Sequence, residues 1–485
     1  MQVHIIKLFY FFLISILYSI YFLLFLNCLK AKKSPFDMRN SSTTSIVASL
    51  SNRPTVSNTT TSSPQSGNIS LGARTYTQVT INLTPPSGMN GTINYRIYAS
   101  YPDEWTTIDQ VEANAVLKLD YTTNISAYTI SGLEPYQFYR VDIIAKDSNG
   151  NKLLYTPFCI QMDPNISGTV TCSTGPKGIV TTLTGTGGLG SADGSFSTST
   201  FNQPQGIVAL GNSLYVVDTS NNRIRKLDMN NQTVSTIAGS TLGYTNAIGL
   251  SAQFNSPTGI TTDGTNLFIV DRNNYSIRLL NLSNLMVTTF AGPATATLGY
   301  TDGTGSTARF NAANYIIYNG SDFYLSDEDN CRIRKITTSA LVTTHAGSTC
   351  PGTNNGLLLS ASFSQDIVGI TFYQSYIFLT DKGNNNIRKI DTSISGNVST
   401  FTNMTDPHAT VVYGKYLYVS ENTGHRIYKY DIDTGIGSVF VGSGSSGSSD
   451  GTGTNASFNL PRAMTFIGNV LYVADTNNHK IRKIE

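Results

Sequence analysis

One stretch of about fifteen residues recurs six times in this chain, and internal repetition of that kind outranks every local signal of structure. The copies are LYVVDTSNNRIRKLD (214 to 228), LFIVDRNNYSIRLLN (267 to 281), FYLSDEDNCRIRKIT (323 to 337), IFLTDKGNNNIRKID (377 to 391), LYVSENTGHRIYKYD (417 to 431) and LYVADTNNHKIRKIE (471 to 485). Each of the first five is followed by another short stretch: VSTIAG, VTTFAG, VTTHAG, VSTFTN or GSVFVG. The sixth is followed by nothing. Ahead of each copy stands a further apolar stretch (GIVAL, GITTD, YIIYN, GITFY, TVVYG, AMTFI), joined to it by hairpin-forming turns such as Gly211-Asn212 and Asp263-Gly264. Each unit therefore reads as four antiparallel strands. The acidic residue of the unit falls at Asp218, Asp271, Asp327, Asp381, Glu421 and Asp475, at intervals of 53, 56, 54, 40 and 54. Four-stranded units at this spacing make a β-propeller. The outer strand missing from the sixth unit has a candidate in IVTTLTG (179 to 185), a copy of the VSTIAG stretch with no strands of its own before it. Pairing it with HKIRKIE closes the ring, fixes the blade count at six and leaves no blade face unpaired.

The units resemble NHL repeats. Pro204-Gln205-Gly206-Ile207 followed by LYVVDTSNNRIRK carries that family's P-x-G-I, strand and D-x-x-N-x-R-I pattern, as do Pro257 to Ile260 and the copy around Asp475. The resemblance covers residues 177 to 485 and implies a six-bladed propeller. The loops GYTDGTGSTARFN (299 to 311) and GSSDGTGTNASFN (447 to 459) resemble the Asp-Gly-rich insert of extracellular bacterial NHL proteins. Three blades depart from the pattern. The third has Ala313, Asn314 and Tyr315 in place of Pro-x-Gly, the fourth carries an extra residue there, and the fifth lacks the insert.

Upstream, residues 70 to 176 alternate short β-patterned stretches with Pro, Gly and Asn turns. YTISGLEPYQFYRVDIIAKDSNGN (128 to 151) resembles the fibronectin type III domain through Leu133, Pro135, Tyr139, Val141 and Ala145. That resemblance implies a β-sandwich in which Tyr139 supplies the corner hydroxyl and Trp105 a core aromatic. The expected fold is thus all-β, a sandwich followed by the propeller. Residues 28 to 69 are a Ser/Thr-rich tether, too poor in large apolar groups to offset the entropy of ordering. Residues 1 to 27 read as a signal peptide: Lys7 precedes an apolar run from 8 to 26, and the following LFLNC resembles a relaxed lipobox of the spirochaete type, in which Cys28 is acylated. An uncleaved membrane helix or plain secretion are the alternatives, and each exports the protein. Lipidation places it in a bacterial cell envelope, at the outer membrane or cell surface.

Export gives meaning to the four remaining cysteines, which allow three pairings and fall into two near pairs, Cys159 with Cys172 and Cys331 with Cys350. In a hairpin centred on Ser339-Ala340, residues 331 and 350 stand within about a residue of direct opposition, inside disulfide reach. A formal charge of +2 with 13% charged residues offers no basic surface for nucleic acid. The repeated acid and the second Arg of RIR (Arg225, Arg278, Arg334, Arg388, Arg482, with Tyr428 in the fifth copy) are expected to satisfy one another between blades. His425 and His479 share a turn slot, and Asp327, Glu328 and Asp329 are expected as an exposed acidic turn. A zinc-dependent lyase of this fold needs three channel histidines, of which only His408 qualifies. A calcium-dependent lactonase needs carboxylates, and the entry positions of the inner strands, Gln205, Thr258, Asn314, Val368, His408 and Arg462, have none. No cofactor or metal is implied. The expected function is a monomeric binding module for a protein or glycan ligand, with Gln205, Thr258, Asn314, His408 and Arg462 at the mouth of the channel. A channel-centred lyase or lactonase is the alternative.

Overall fold

The computed structural model describes most of residues 69–162 and all of 175–485. Cys28, Trp105, Pro135 and Cys172 lie outside the described residues, as do the signal, anchor and most of the tether. Among the described residues no helix is long and apolar enough to cross a membrane. The architecture is all-β.

Between residues 69 and 162 the strands form two antiparallel sheets. One is ordered Ile69–Arg74, Val79–Leu83, Ala127–Ile130. The other runs Leu117–Thr123, Asn94–Ser100, Phe138–Lys146, Lys152–Leu154, with Phe158–Gln161 also paired to Phe138–Lys146. Alternate residues bury themselves between the sheets: Val79, Ile81 and Leu83 meet Tyr95, Ile97 and Ala99, and Leu133, Tyr139, Val141 and Ala145 lie in the same core.

From residue 179 onward six further sheets follow. In the first, Pro204–Leu210, Ser213–Asp218, Arg223–Asp228 and Thr233–Ala238 pair in succession. The second strand of each repeat is buried on both faces because it is covered by a neighbouring sheet on either side, which is why LYVVD and its counterparts are apolar without alternation. The first strands, Pro204–Leu210, Pro257–Thr262, Ile316–Tyr318, Ile367–Tyr373, Pro407–Tyr413 and Pro461–Ile467, touch one another in that order, and the last touches the first. Their approach is close enough that a Cβ on Gly206 would run into Thr258 O, and one on Gly369 into His408 O. The sixth sheet is completed from the far end of the sequence. Ile179–Thr184 pairs antiparallel with Lys480–Ile484, Val180 opposite Ile484 and Thr184 opposite Ile481.

Candidate functional site

The repeated acid and arginine are structural, and they pair within a repeat instead of between repeats. Asp218 stands opposite Arg223 across one hairpin, so Arg225, two residues on, projects from the same face as the carboxylate. Asp218, itself fully buried, accepts from Asn202 N at 2.7 Å, Asn221 Nδ2 at 2.8 Å and Arg225 Nη1 at 2.7 Å. The guanidinium also donates to Thr200 O and Ala192 O, and so fastens the loop that leads into the inner strand. Its carbon lies 5.0 Å from the centre of the Phe201 ring. The same arrangement recurs around Asp271, Asp327, Asp381 and Asp475, each bonded to the arginine of its own repeat. Asp327 is therefore fully buried, not part of an exposed acidic turn.

Each acid opens a short turn, 3-10 in every repeat but the fifth, whose closing residue is left-handed: Asn222, Tyr275, Cys331, Asn385, His425 and His479, with φ between 51° and 55°. Four of these side chains reach forward to the next repeat. Asn222 Oδ1, Asn385 Oδ1, His425 Nδ1 and His479 Nδ1 accept from the backbone of Ser256, Asp406, Leu460 and Gln203. The last of these links the sixth repeat to the first. Burial lowers the pKa of both histidines, in keeping with the neutral ring an accepting Nδ1 requires. Cys331, in the same slot, is joined to the next repeat by its disulfide to Cys350, with Cα atoms 5.4 Å apart. Cys159 is disulfide-bonded as well.

What remains for recognition is the ring of first turn residues, one after each acid: Thr219, Arg272, Glu328, Lys382, Asn422 and Thr476. Three are charged. Arg272 Nη1 meets Glu328 Oε2 at 2.6 Å, and Asn314 Nδ2 donates to the same oxygen at 2.7 Å. Lys382 Nζ lies 2.6 Å from Asp366 and 3.6 Å from Asp406. The entry positions themselves carry no carboxylate, but Glu328, Asp366 and Asp406 stand on the loops just outside them. Burial raises the Glu328 carboxyl against the opposing pull of Arg272. It also opposes the charge on Lys382, whose pKa nonetheless rises because Asp366 and Asp406 hold the proton.

The five expected positions divide. Asn314, His408 and Arg462 converge with the charged turn residues. Thr258 is spent on structure, its Oγ1 donating to Asn314 O at 2.9 Å, and Gln205 sits half-buried at the corresponding place in the first repeat. His408 is buried edge-on to Tyr315, ring centres 5.9 Å apart, although the two belong to repeats five and three. Burial, reinforced by Arg462, Lys382 and Arg272, pushes the His408 pKa well below its ordinary value. Tyr315 occupies the place where the other repeats have Gly206, Gly259, Gly369, Ala409 and Ala463, and it projects into the axial space. His408 Nδ1, the Tyr315 hydroxyl, Asn314 Oδ1 and Arg462 Nε are all buried without a hydrogen-bond partner. Beyond Tyr315 the channel is lined chiefly by apolar groups, among them Ile207, Ile260, Ile370 and Val411. Among the described residues no group of three or more His, Cys, Asp or Glu is placed to hold a metal ion. The turn ring was legible in principle, because it is the first of two variable positions between the acid and an Asn that recurs in every repeat but the fifth.

The NHL repeat family matches residues 201–227. NHL repeat-containing protein 2 of Homo sapiens is 54% identical over 50 residues, which span 10% of this chain and 7% of that protein. Protein SUPPRESSOR OF QUENCHING 1, chloroplastic, of Arabidopsis thaliana is 26% identical over 313 residues, 61% of this chain and 26% of its own length. This chain thus spans only a small part of the curated relatives it matches. Among solved structures, an auxiliary nutrient binding protein from Bacteroides thetaiotaomicron VPI-5482 is similar over 87% of this chain and 98% of its own, with 14% identity and a TM-score of 0.49.

Proposed function

We propose that this chain is an exported lipoprotein, anchored through Cys28, whose fibronectin type III-like sandwich at 70–176 carries a six-bladed NHL propeller at 177–485 that binds a protein or glycan ligand. The ligand sits at the channel mouth. One observation carries this reading: Arg272, Glu328 and Lys382 stand around His408 and Arg462, where four buried polar atoms have no partner in the protein. Unmet buried polar groups cost about 1–3 kcal/mol each, a cost a polar ligand would offset on binding. Charges of both signs at the rim suit a ligand rich in hydroxyls or amides better than a polyanion. The apolar run at 8–26 followed by Cys28 supports the anchor. The enzyme alternative would need His408 and a free carboxylate, but the charged groups acting on His408 are Arg462, Lys382 and Arg272, and Glu328, Asp366 and Asp406 are each held in an ion pair.

The test is a printed array of defined oligosaccharides and peptides probed with the full chain and with a Glu328→Ala, Lys382→Ala double variant. A signal lost in the variant supports the reading. A signal the variant keeps, or turnover of lactone and ester probes by the parent, overturns it.

A further inference from the structure

Repeat five differs from the others in a way that leaves a site outside the channel. In four other repeats and in the closing one, a loop precedes the inner strand and is fastened by the arginine. Here only Met404, Thr405 and Asp406 separate Asn397–Asn403 from Pro407–Tyr413. Tyr428 stands in the register occupied elsewhere by the arginine, opposite Val419 as Arg225 is opposite Val216. The acid is Glu421. Where the loop and guanidinium would lie there is a cavity of about 510 Å³, lined by Asn384, Asn403, Met404, Glu421, Tyr428 and Tyr430 among others.

Glu421 is 6% exposed, and its Oε2 makes no hydrogen bond. Its one cationic neighbour among the described residues is Arg426, at 3.5 Å and more than a third exposed. The acids of the other repeats each accept an arginine Nη1 bond of 2.7–2.9 Å. Those arginines lie 5.0–5.4 Å from the ring centre of a phenylalanine in the loop. Repeat five retains the carboxylate, and it supplies aromatic surface through Tyr428 and Tyr430, whose rings stand 6.0 Å apart at 18°. The guanidinium is missing together with the loop it would fasten, and Gly424 stands where the other repeats have the Asn that bonds their acid.

We propose that repeat five takes this group from outside, as an arginine side chain of a partner polypeptide, with Glu421 as its carboxylate and Tyr428 and Tyr430 as its aromatic neighbours. Five copies of the same sheet show which cation such a slot accepts, and the planar fork of a guanidinium suits a carboxylate between aromatic rings better than an ammonium does. None of the residues lining this site is among those that line the channel mouth.

Calorimetry on the full chain tests this with N-acetyl-arginine amide and the neutral isostere N-acetyl-citrulline amide. Arginine should bind roughly tenfold or more tightly than citrulline, the difference a charge-assisted bond makes. Glu421→Gln should abolish that difference, and Tyr428→Arg should fill the slot from within and abolish binding. An arginine-centred hexapeptide should bind more tightly than the amide; equal affinity would overturn the polypeptide source in favour of a small guanidinium compound. Equal binding of arginine and citrulline by the parent overturns the site itself, whether or not the variants fold, as would full discrimination in Glu421→Gln.

Discussion

Repeats five and six are incomplete in opposite senses. Repeat five is continuous in sequence yet lacks the entering loop and the arginine that fastens it; repeat six is assembled from both ends of the repeat region, yet it has the full network around Asp475 and Arg482. The contrast separates two things the period of the sequence runs together, strand content and the polar network. Four strands make a sheet in either case. The buried carboxylate, its arginine and the loop carbonyls they bind are an addition that one repeat does without.

The largest effect should come from opening repeat six. Deleting residues 177–186 removes the backbone bonds of Ile179–Thr184 and exposes the strand it covers, Lys480–Ile484. The expected loss is on the order of 5–10 kcal/mol, or about 10–20 °C in the thermal midpoint. Deleting residues 29–60 should leave that midpoint unchanged; equal shifts would mean that the pairing does not close the sheet in solution. Next, Arg482→Met strands the buried Asp475 charge, an expected cost of about 3–5 kcal/mol by urea unfolding, whereas Tyr428→Met should cost about 1–2 kcal/mol. Similar values would dissolve the distinction between the two repeats. Reducing the Cys331–Cys350 bond, which closes a separation of 19 residues, should cost about 3 kcal/mol. Cys331→Asn under reducing conditions should recover part of this, since Asn222 and Asn385 serve that slot elsewhere.

The smallest effect is on pH. The folded-state pKa values of His345, His408, His425 and His479 are all lowered, that of His345 to about 4, with burial the chief cause in each. The unfolded chain therefore takes up protons first, so stability is whole above about pH 6.5 and falls as pH drops towards 4. His479→Asn keeps an acceptor that does not titrate. It should flatten the acid limb by about 2 °C, the worth of one hydrogen bond, and a parallel shift at every pH would show that Nδ1 is not the acceptor.

The repeat sheets could be read from the sequence because the period, the hairpin turns and the orphan stretch at 179–185 all state one pairing scheme. The partner of each arginine was misread because blade spacing draws attention to neighbours, while strand parity puts Asp218 and Arg225 on one face of a single hairpin. The mouth was half legible. His408, Asn314 and Arg462 follow from their position at the start of inner strands. Asp366 and Asp406 do not, since they stand on connections where the other repeats carry neutral residues such as Gln203, Ser256 and Ala312. Tyr315 was visible as a break in Pro-x-Gly; that it reaches His408 depends on ring geometry that no single repeat records.

The pairing of Ile179–Thr184 with Lys480–Ile484 also has a mechanical side. The chain arrives from upstream at Lys177, whose N–H, like that of Ile179, is bonded to Glu485 O, and it departs into the first repeat from the other end of the strand. The end of the strand that would be pulled is opposite the end rooted in the ring. Tension along the upstream segment therefore loads the whole row of hydrogen bonds in shear instead of peeling them one at a time, and a molecule held by its leading segment would bear that load through its strongest geometry.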